Sequence, residues 1–169
     1  PYQLYIREAR RMVGEYVMIQ QDLQTNRTKP DSIGMGSYNS DSHHVQRVIR
    51  ADGMLENEGD MQVPVKPYEI AFRALLPKRN ECENLLVPVC FSASHVAYSS
   101  MRMEPQYMIM GEAAGLAAAW SAKAKTPVQE VNIVDMQKEL RARRAVLSLQ
   151  DVQANNPGSK PLEGIVIDN

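Results

Sequence analysis

The chain has 169 residues, enough for one ordinary core or for one domain plus pieces of another. Its formal net charge is −1 with acidic and basic residues well mixed, which excludes the basic footprint of a nucleic-acid or polyanion binder. No apolar run reaches the roughly 18 residues that span a bilayer, and two cysteines, Cys82 and Cys90, exclude a disulfide framework.

A single Cys82–Cys90 bridge and two reduced thiols both stay open, so the compartment, cytoplasmic or exported, is undetermined. The chain opens on Pro1 without a signal-peptide pattern, which fits either a removed leader or a piece of a longer protein. No repeat or low-complexity tract is present.

Residues 2–10 fit a helical turn that sets Arg7, Arg10 and Arg11 on one face. Residues 12–19, rich in valine, tyrosine and isoleucine, predict a strand, with Gly14 marking a bulge or a close approach. A short helix is expected over 22–27, ended by Lys29 and Pro30. A strand is expected around 33–38.

Asp41, His43 and His44 follow within four residues. In an extended segment Asp41 and His43 point to the same side. Three readings stay open here. A metal needs three or four ligands, and His95 is the only further histidine, so no metal is assigned. A carboxylate-oriented histidine can move a proton near neutral pH. A surface turn needs neither.

Residues 48–53 and 57–60 read as turns, with NEGD as the hairpin signal. Two short strands follow over 61–66 and 68–72, the first held to a sheet edge by Pro64 and Pro67. Arg73 can grip an anionic substrate group bidentately or serve a structural ion pair.

The most informative stretch is 84–120. Residues 85–89 form a short apolar run, the pattern of a strand buried on both faces. Residues 92–102 are serine-rich without a clear period and predict a polar loop. A helix starts near Pro105, since proline suits a first turn, and stops before Pro127. Ile109, Ala113, Leu116 and Trp120 make a bulky stripe; Gly111, Gly115, Ala118 and Ala122 make a bare one. A helix apolar all round is expected to be buried, and a bare stripe admits backbone or a flat ligand. Met101, Met103, Met108 and Met110 crowd this region, suited to packing on flat rings or to filling a core.

Asn132, with Asp135 three positions on, predicts the cap of an amphipathic helix running to about Val146. Residues 153–161 read as a linker, and 162–169 end in the strand-like GIVIDN.

The run NLLVPVCFSASHVAYSSMRMEPQYMIMGEAAGLAAA resembles the C-terminal cofactor segment of FAD-dependent oxidoreductases with a glutathione-reductase-type flavin domain. It is most similar to a bacterial subgroup of which some members carry the label xanthan lyase. SYNSDSHHV is similar to that family's "Y..D.H" segment on the substrate side of the flavin, matched by Tyr38, Asp41 and His43. YIREARRMVGEYVMIQQDL resembles the approach to a substrate-domain strand. KPYEIAFRALLPK resembles "Y.IPYRSLLPK", with Ala71 and Phe72 departing from the pattern and Arg73 matching it.

The resemblance implies an α+β fragment: antiparallel substrate-domain strands plus the last strand and helix of a flavin-binding domain. Residues 1–80 would be part of the substrate domain and 81–126 the flavin-closing strand and helix. Residues 127–150 would form a C-terminal helix, and 151–169 a linker or the start of a further module. It also implies FAD as cofactor, met by Ser92, Arg102, Met103 and Glu104, with Gly111, Ala114 and Gly115 allowing close packing. The implied reaction is hydride transfer between flavin and a small-molecule substrate, which the family resemblance alone points to as sugar-derived. His43, oriented by Asp41, would be the base, and Tyr38, Tyr68, Arg73 and His95 would position that substrate.

The dinucleotide fingerprint G-x-G-x-x-G is missing: Gly34 and Gly36 are followed by Asn39 where the third glycine belongs. The expectation is therefore one side of a flavin site, completed by the remainder of the flavin domain in the same or another chain. Such a chain alone would be inactive and lose its flavin. Two other functions stay open: a binding module on the same scaffold without chemistry, and a uronate-type lyase built on Tyr38, His43 and Arg73.

Overall fold

The computed structural model describes residues 10–44 and 46–155. Their backbone is organised by a long antiparallel ribbon. Strand β1 (Ser32–Gly36) pairs with β6 (Tyr68–Ala71), β2 (Ser40–Ser42) with β5 (Met61–Val63), and β3 (Gln46–Ile49) with β4 (Leu55–Glu58). Ser32 faces Ala71, Asp41 faces Gln62 and Gln46 faces Glu58, so the register slips by only one residue along the whole length. The three pairs are segments of one hairpin.

Its turn is at Asp52 and Gly53, not at the expected NEGD. The Gly53 N–H donates to Arg50 O and the Arg50 N–H to Met54 O, both at 2.9 Å, and Gly53 takes φ +80°. Glycine reaches that region without steric penalty, which is why an Asp-Gly pair makes a hairpin. Around Gly59 the chain only passes from β4 to β5.

Five helices accompany the ribbon among the described residues. Helix α1 (Gln20–Gln24) starts and ends earlier than expected, with Asp22 Oδ2 accepting from the Ile19 N–H at 2.8 Å. Helix α2 (His95–Met101) occupies the stretch expected to be a polar loop. The Ser94 hydroxyl accepts from the Ala97 N–H at 3.3 Å, and this cap starts a helix whose residues 97–101 are all buried, so packing replaces periodicity as its signature.

Helix α3 (Glu104–Ala124) matches the expectation, with Pro105 in its first turn and Lys125 in a left-handed closing conformation at φ 57°. Helix α4 (Ile133–Ala142) is capped by Asn132 Oδ1, which accepts from the Val134 and Asp135 N–H groups at 3.0 and 3.2 Å. Helix α5 (Leu149–Asn155) takes up residues 153–155 of the expected linker; its Asp151 accepts from the Leu147 N–H and the Ser148 hydroxyl.

One core joins these elements: Met18, Leu23, Ile33, Ile70, Leu75 and Phe91 meet Met110, Met136, Leu140 and Leu147. Each fully buried side chain of this kind contributes about 1.5–3 kcal/mol.

Two strand expectations are corrected. Residues 85–89 do not form a strand: Leu85 and Val89 are 47% and 45% exposed, and Pro88 has no donor for a ladder. The segment is tied by separate bonds instead, Val87 N–H to Leu75 O and Ser92 N–H to Ala74 O, both 2.9 Å. Residues 12–19 are extended but share only one isolated bridge, Met18 with Ala93. There the Gly14 N–H donates to the Ser92 hydroxyl, so a side chain takes the place of a ladder carbonyl. Gly14 is a close approach, as expected: a Cβ there would lie 2.1 Å from Leu76 O.

The third correction concerns α3. Its bare stripe is not buried. Gly115, Ala118 and Ala122 are exposed, and a Cβ added at Gly111 or Gly115 would meet nothing within 4 Å. Burial needs a partner surface, and no described element covers this one. Residues 1–9 and 156–169, on which a helical turn with Arg7 and a strand-like GIVIDN end were expected, lie outside the described residues.

Candidate functional site

Two depressions meet at Tyr38. The first, about 720 Å³, lies beside the start of α3. Its walls are apolar, built from Met35, Met103, Ile109, Leu149 and Val152. Glu104 and Gln106 add the polar groups. An apolar slot with few polar groups suits a flat, largely hydrophobic ring. The second, about 570 Å³, is a polar groove on the outer face of β2 and β5 that includes Asp41 and Gln62. Tyr38 borders both and is 43% exposed.

The local folding explains why Tyr38 and Asp41 stand where they do. Ser40 and Ser42 turn inward, and their buried hydroxyls donate to Val96 O and Gly59 O, each at 2.8 Å. Alternation then sends Asp41 outward. From behind, Arg102 Nη2 donates to the Asp41 carbonyl at 2.7 Å, and the Ser100 hydroxyl donates to the Tyr38 carbonyl. The Tyr68 hydroxyl donates in turn to Ser100 Oγ at 2.7 Å. The Tyr38 hydroxyl reaches Asp41 Oδ2 at 3.3 Å.

Several residues with expected ligand roles therefore stand behind the site. Tyr68 is fully buried, and burial pushes its phenol well above the usual range, only partly offset by Ser100. A direct substrate contact for it is not available in this arrangement. Arg102, 3% exposed, fastens α2 to β2 through the Asp41 carbonyl. Ser92 is buried and accepts from the Gly14 N–H at 3.0 Å.

Arg73 is held by Asp31. Its Nε and Nη2 donate to the two carboxylate oxygens at 2.9 and 3.2 Å, and its backbone N–H adds a third bond at 3.0 Å. The hydrogen bonds it donates to Asp31 raise the guanidinium pKa further. The guanidinium also sits 4.8 Å from the Tyr16 ring centroid. Beneath it, the Tyr16 hydroxyl donates to Asp22 at 2.6 Å and Lys29 pairs with Asp22 at 3.1 Å, with both charged side chains buried. Burial, with the Asp22 bond second, pushes the Tyr16 phenol up to about 12. This network resolves the open reading of Arg73 in favour of the ion pair.

The expected pair of Asp41 and His43 is not formed. His43 lies just beyond β2 and is exposed, and among the described residues no hydrogen bond or ion pair joins it to Asp41. His95 opens α2 and is half-buried. Met103 and Glu104 line the apolar slot. Gly111 is on the uncovered face of α3, while Ala114 and Gly115 line a separate groove of about 500 Å³ with Leu86 and Pro88. No three His, Cys, Asp or Glu side chains converge as a metal site needs, among the described residues. No described helix is long and apolar enough to cross a membrane.

Gln62, Met35 and Ile109 are site residues that motif reading missed. The Asp52-Gly53 turn and the β3–β4 register extend to residue 63 opposite residue 41, and the one-residue slip before β2 and β5 makes the partner Gln62.

The slot has no phosphate cradle among the described residues. A helix start attracts anions, but here Glu104 already sets a carboxylate in the first turn of α3. Gly34 and Gly36 leave no space either: an added Cβ would lie 2.2 Å from Ile109 Cγ2 and 2.6 Å from the Tyr68 hydroxyl. The apolar lining of the slot suits a ring better than a charged group.

Comparison with protein-family models matches residues 1–140 to the model described as FAD dependent oxidoreductase. No curated protein and no solved structure matches the chain.

Proposed function

Because the chain belongs to the FAD-dependent oxidoreductase family, we propose that its apolar slot takes the isoalloxazine ring and that its β2–β5 groove takes the substrate. The observation that carries this reading is Tyr38, which borders both depressions and so would bring the two molecules edge to edge. Bound flavin supplies a two-electron acceptor. The chain's own residues do the rest. Met103 and Ile109 wall the ring from water, and Tyr38 and Asp41 orient the substrate. The dinucleotide half is held by the remainder of a glutathione-reductase-type domain, in the same or another chain, packed on the uncovered face of α3.

The test is a titration of this chain with riboflavin and with FAD, read by quenching of flavin fluorescence. A ring site without a diphosphate cradle predicts weak binding, with Kd on the order of 0.1–1 mM, or about −4 to −5.5 kcal/mol. The two ligands should agree within about threefold, and Ile109→Asp should abolish the quench. Absence of quenching by both ligands defeats the reading, and FAD binding far tighter than riboflavin defeats the one-sided site.

A second reading, a binding module without chemistry, is favoured by the exposure of His43 and its lack of a bond to Asp41. A full-length flavin-loaded protein that no substrate class reduces would support that module.

A further inference from the structure

The geometry points to a subsite for a neutral polyhydroxylated ring, a pyranose or a close analogue, in the groove between β2 and β5. The location rests on the proposed function only in placing this ring beside the flavin slot; binding itself is independent of it.

Asp41 and Gln62 face each other across the β2–β5 register. Cross-strand partners share a face and stand about 5 Å apart at Cβ, so a carboxylate and a carboxamide project together into the groove. Tyr38 stands beside them with its ring partly open to solvent and its hydroxyl 3.3 Å from Asp41 Oδ2. The remaining polar lining is Ser37, Asn39 and Ser40; Asn39 Oδ1 is occupied by the Val65 N–H at 3.0 Å, and the Ser40 hydroxyl donates to Val96 O at 2.8 Å.

The chemistry of this set selects the ligand. Among the described residues no lysine, arginine or histidine lines the groove, and its one formal charge there is negative. Phosphates, carboxylates and uronic acids are therefore opposed by Asp41 rather than attracted. A purely apolar ligand would strip water from the Asp41 carboxylate and the Gln62 amide without replacing it, which costs free energy. A sugar ring meets both demands. Vicinal hydroxyls donate to the carboxylate, another hydroxyl exchanges bonds with the carboxamide, and the axial C–H face lies on the Tyr38 ring.

The subsite is also stiff. The Tyr38 and Asp41 carbonyls are tied from behind by Ser100 and Arg102, and Ser40, between them in the chain, is tied to Val96. A platform held on three backbone points loses little entropy on binding.

Saturation-transfer NMR on the chain without flavin tests this. The probes are methyl β-glucopyranoside, methyl β-galactopyranoside, methyl β-glucuronide and trimethylammonium. Transfer is expected to the ring protons of at least one neutral glycoside, strongest on its C–H face. Transfer to the glucuronide should be at least about tenfold weaker, a difference of about 1.4 kcal/mol. Tyr38→Ala and Gln62→Ala should each remove most of the signal, and Tyr38→Phe should keep most of it. Both positions are exposed, and matching circular dichroism confirms folding.

No transfer to either neutral glycoside, preference for the glucuronide or the ammonium ion, or signals unchanged in both alanine variants would each overturn the proposal. Sugar binding with no flavin quench keeps the subsite and sinks the flavin slot. Flavin quench with no sugar transfer does the reverse.

Discussion

Gly34 and Ile109 form the contact on which the wall of the apolar slot depends, and a double substitution tests it. Gly34 is buried in β1, and a Cβ added there would fall 2.2 Å from Ile109 Cγ2, far inside van der Waals contact. Ile109 cannot turn away cheaply, because a β-branched side chain on a helix has one dominant rotamer. Gly34→Ala should therefore cost ~1–3 kcal/mol of overpacking, offset by ~0.4–1 kcal/mol from a stiffer unfolded chain. Ile109→Ala alone should fall at the low end of the ~2–5 kcal/mol range for Ile→Ala, since Ile109 is only partly buried.

The pair should not add. With Cγ2 gone, the nearest remaining atom of residue 109 to the new methyl is its Cβ at 3.5 Å, an ordinary contact. The alanine at 34 then fills part of the space that Ile109 vacates. A coupling of ~1–3 kcal/mol in favour of the double variant follows. Urea unfolding of the four chains at constant m value measures it. Additivity within ~0.5 kcal/mol would show that Ile109 does not pack on Gly34 and that the slot wall is built differently.

Gly111→Ala and Gly115→Ala should each stabilise the chain by ~0.5–1 kcal/mol, because both sit in α3 with nothing within 4 Å of the new Cβ; a loss of stability in thermal melts would mean that face is covered. Arg73→Ala should cost ~1–3 kcal/mol by stripping the partner from the buried Asp31, while Asp31→Asn with Arg73→Ala together should recover part of it in urea unfolding. Tyr16 titrates at about 12 when folded and near 10 when unfolded, so its contribution is whole below pH 10 and is lost as pH rises through 12. Tyr16→Phe should flatten that alkaline fall in stability, and an unchanged slope between the two chains would refute the Asp22 bond. Asp151 is the mirror case: burial raises its pKa, but bonds from Arg141, Leu147 and Ser148 outweigh it and lower it below 3.8. Its contribution is present above pH 3.8 and fades below, so Asp151→Asn should remove that part of the acid sensitivity.

Local signals made several elements legible. Pro105 and Asn132 mark the starts of α3 and α4 because each satisfies, or does without, a first-turn N–H, a matter settled within four residues. Gly14 was legible for the same kind of reason, as a position where backbone meets backbone. The hairpin turn was equally local, yet two glycine-containing candidates competed, and only pairing along the full ribbon chose Asp52-Gly53 over NEGD.

What the sequence alone determined is the α+β class, the starts of α3 and α4 and the family, since first-turn prolines, caps and motifs are written in neighbouring residues. Tertiary structure decided which motif residues reach a ligand. Tyr68 and Arg102 carry the family pattern but are buried as the supports of Tyr38 and Asp41, Ser92 is buried against Gly14, and Arg73 is paired with Asp31. It also decided that residues 85–89 are not a strand and that the bare face of α3 is open. Both depend on whether another surface lies alongside, and a run of apolar residues records the demand for a partner without recording where the partner is.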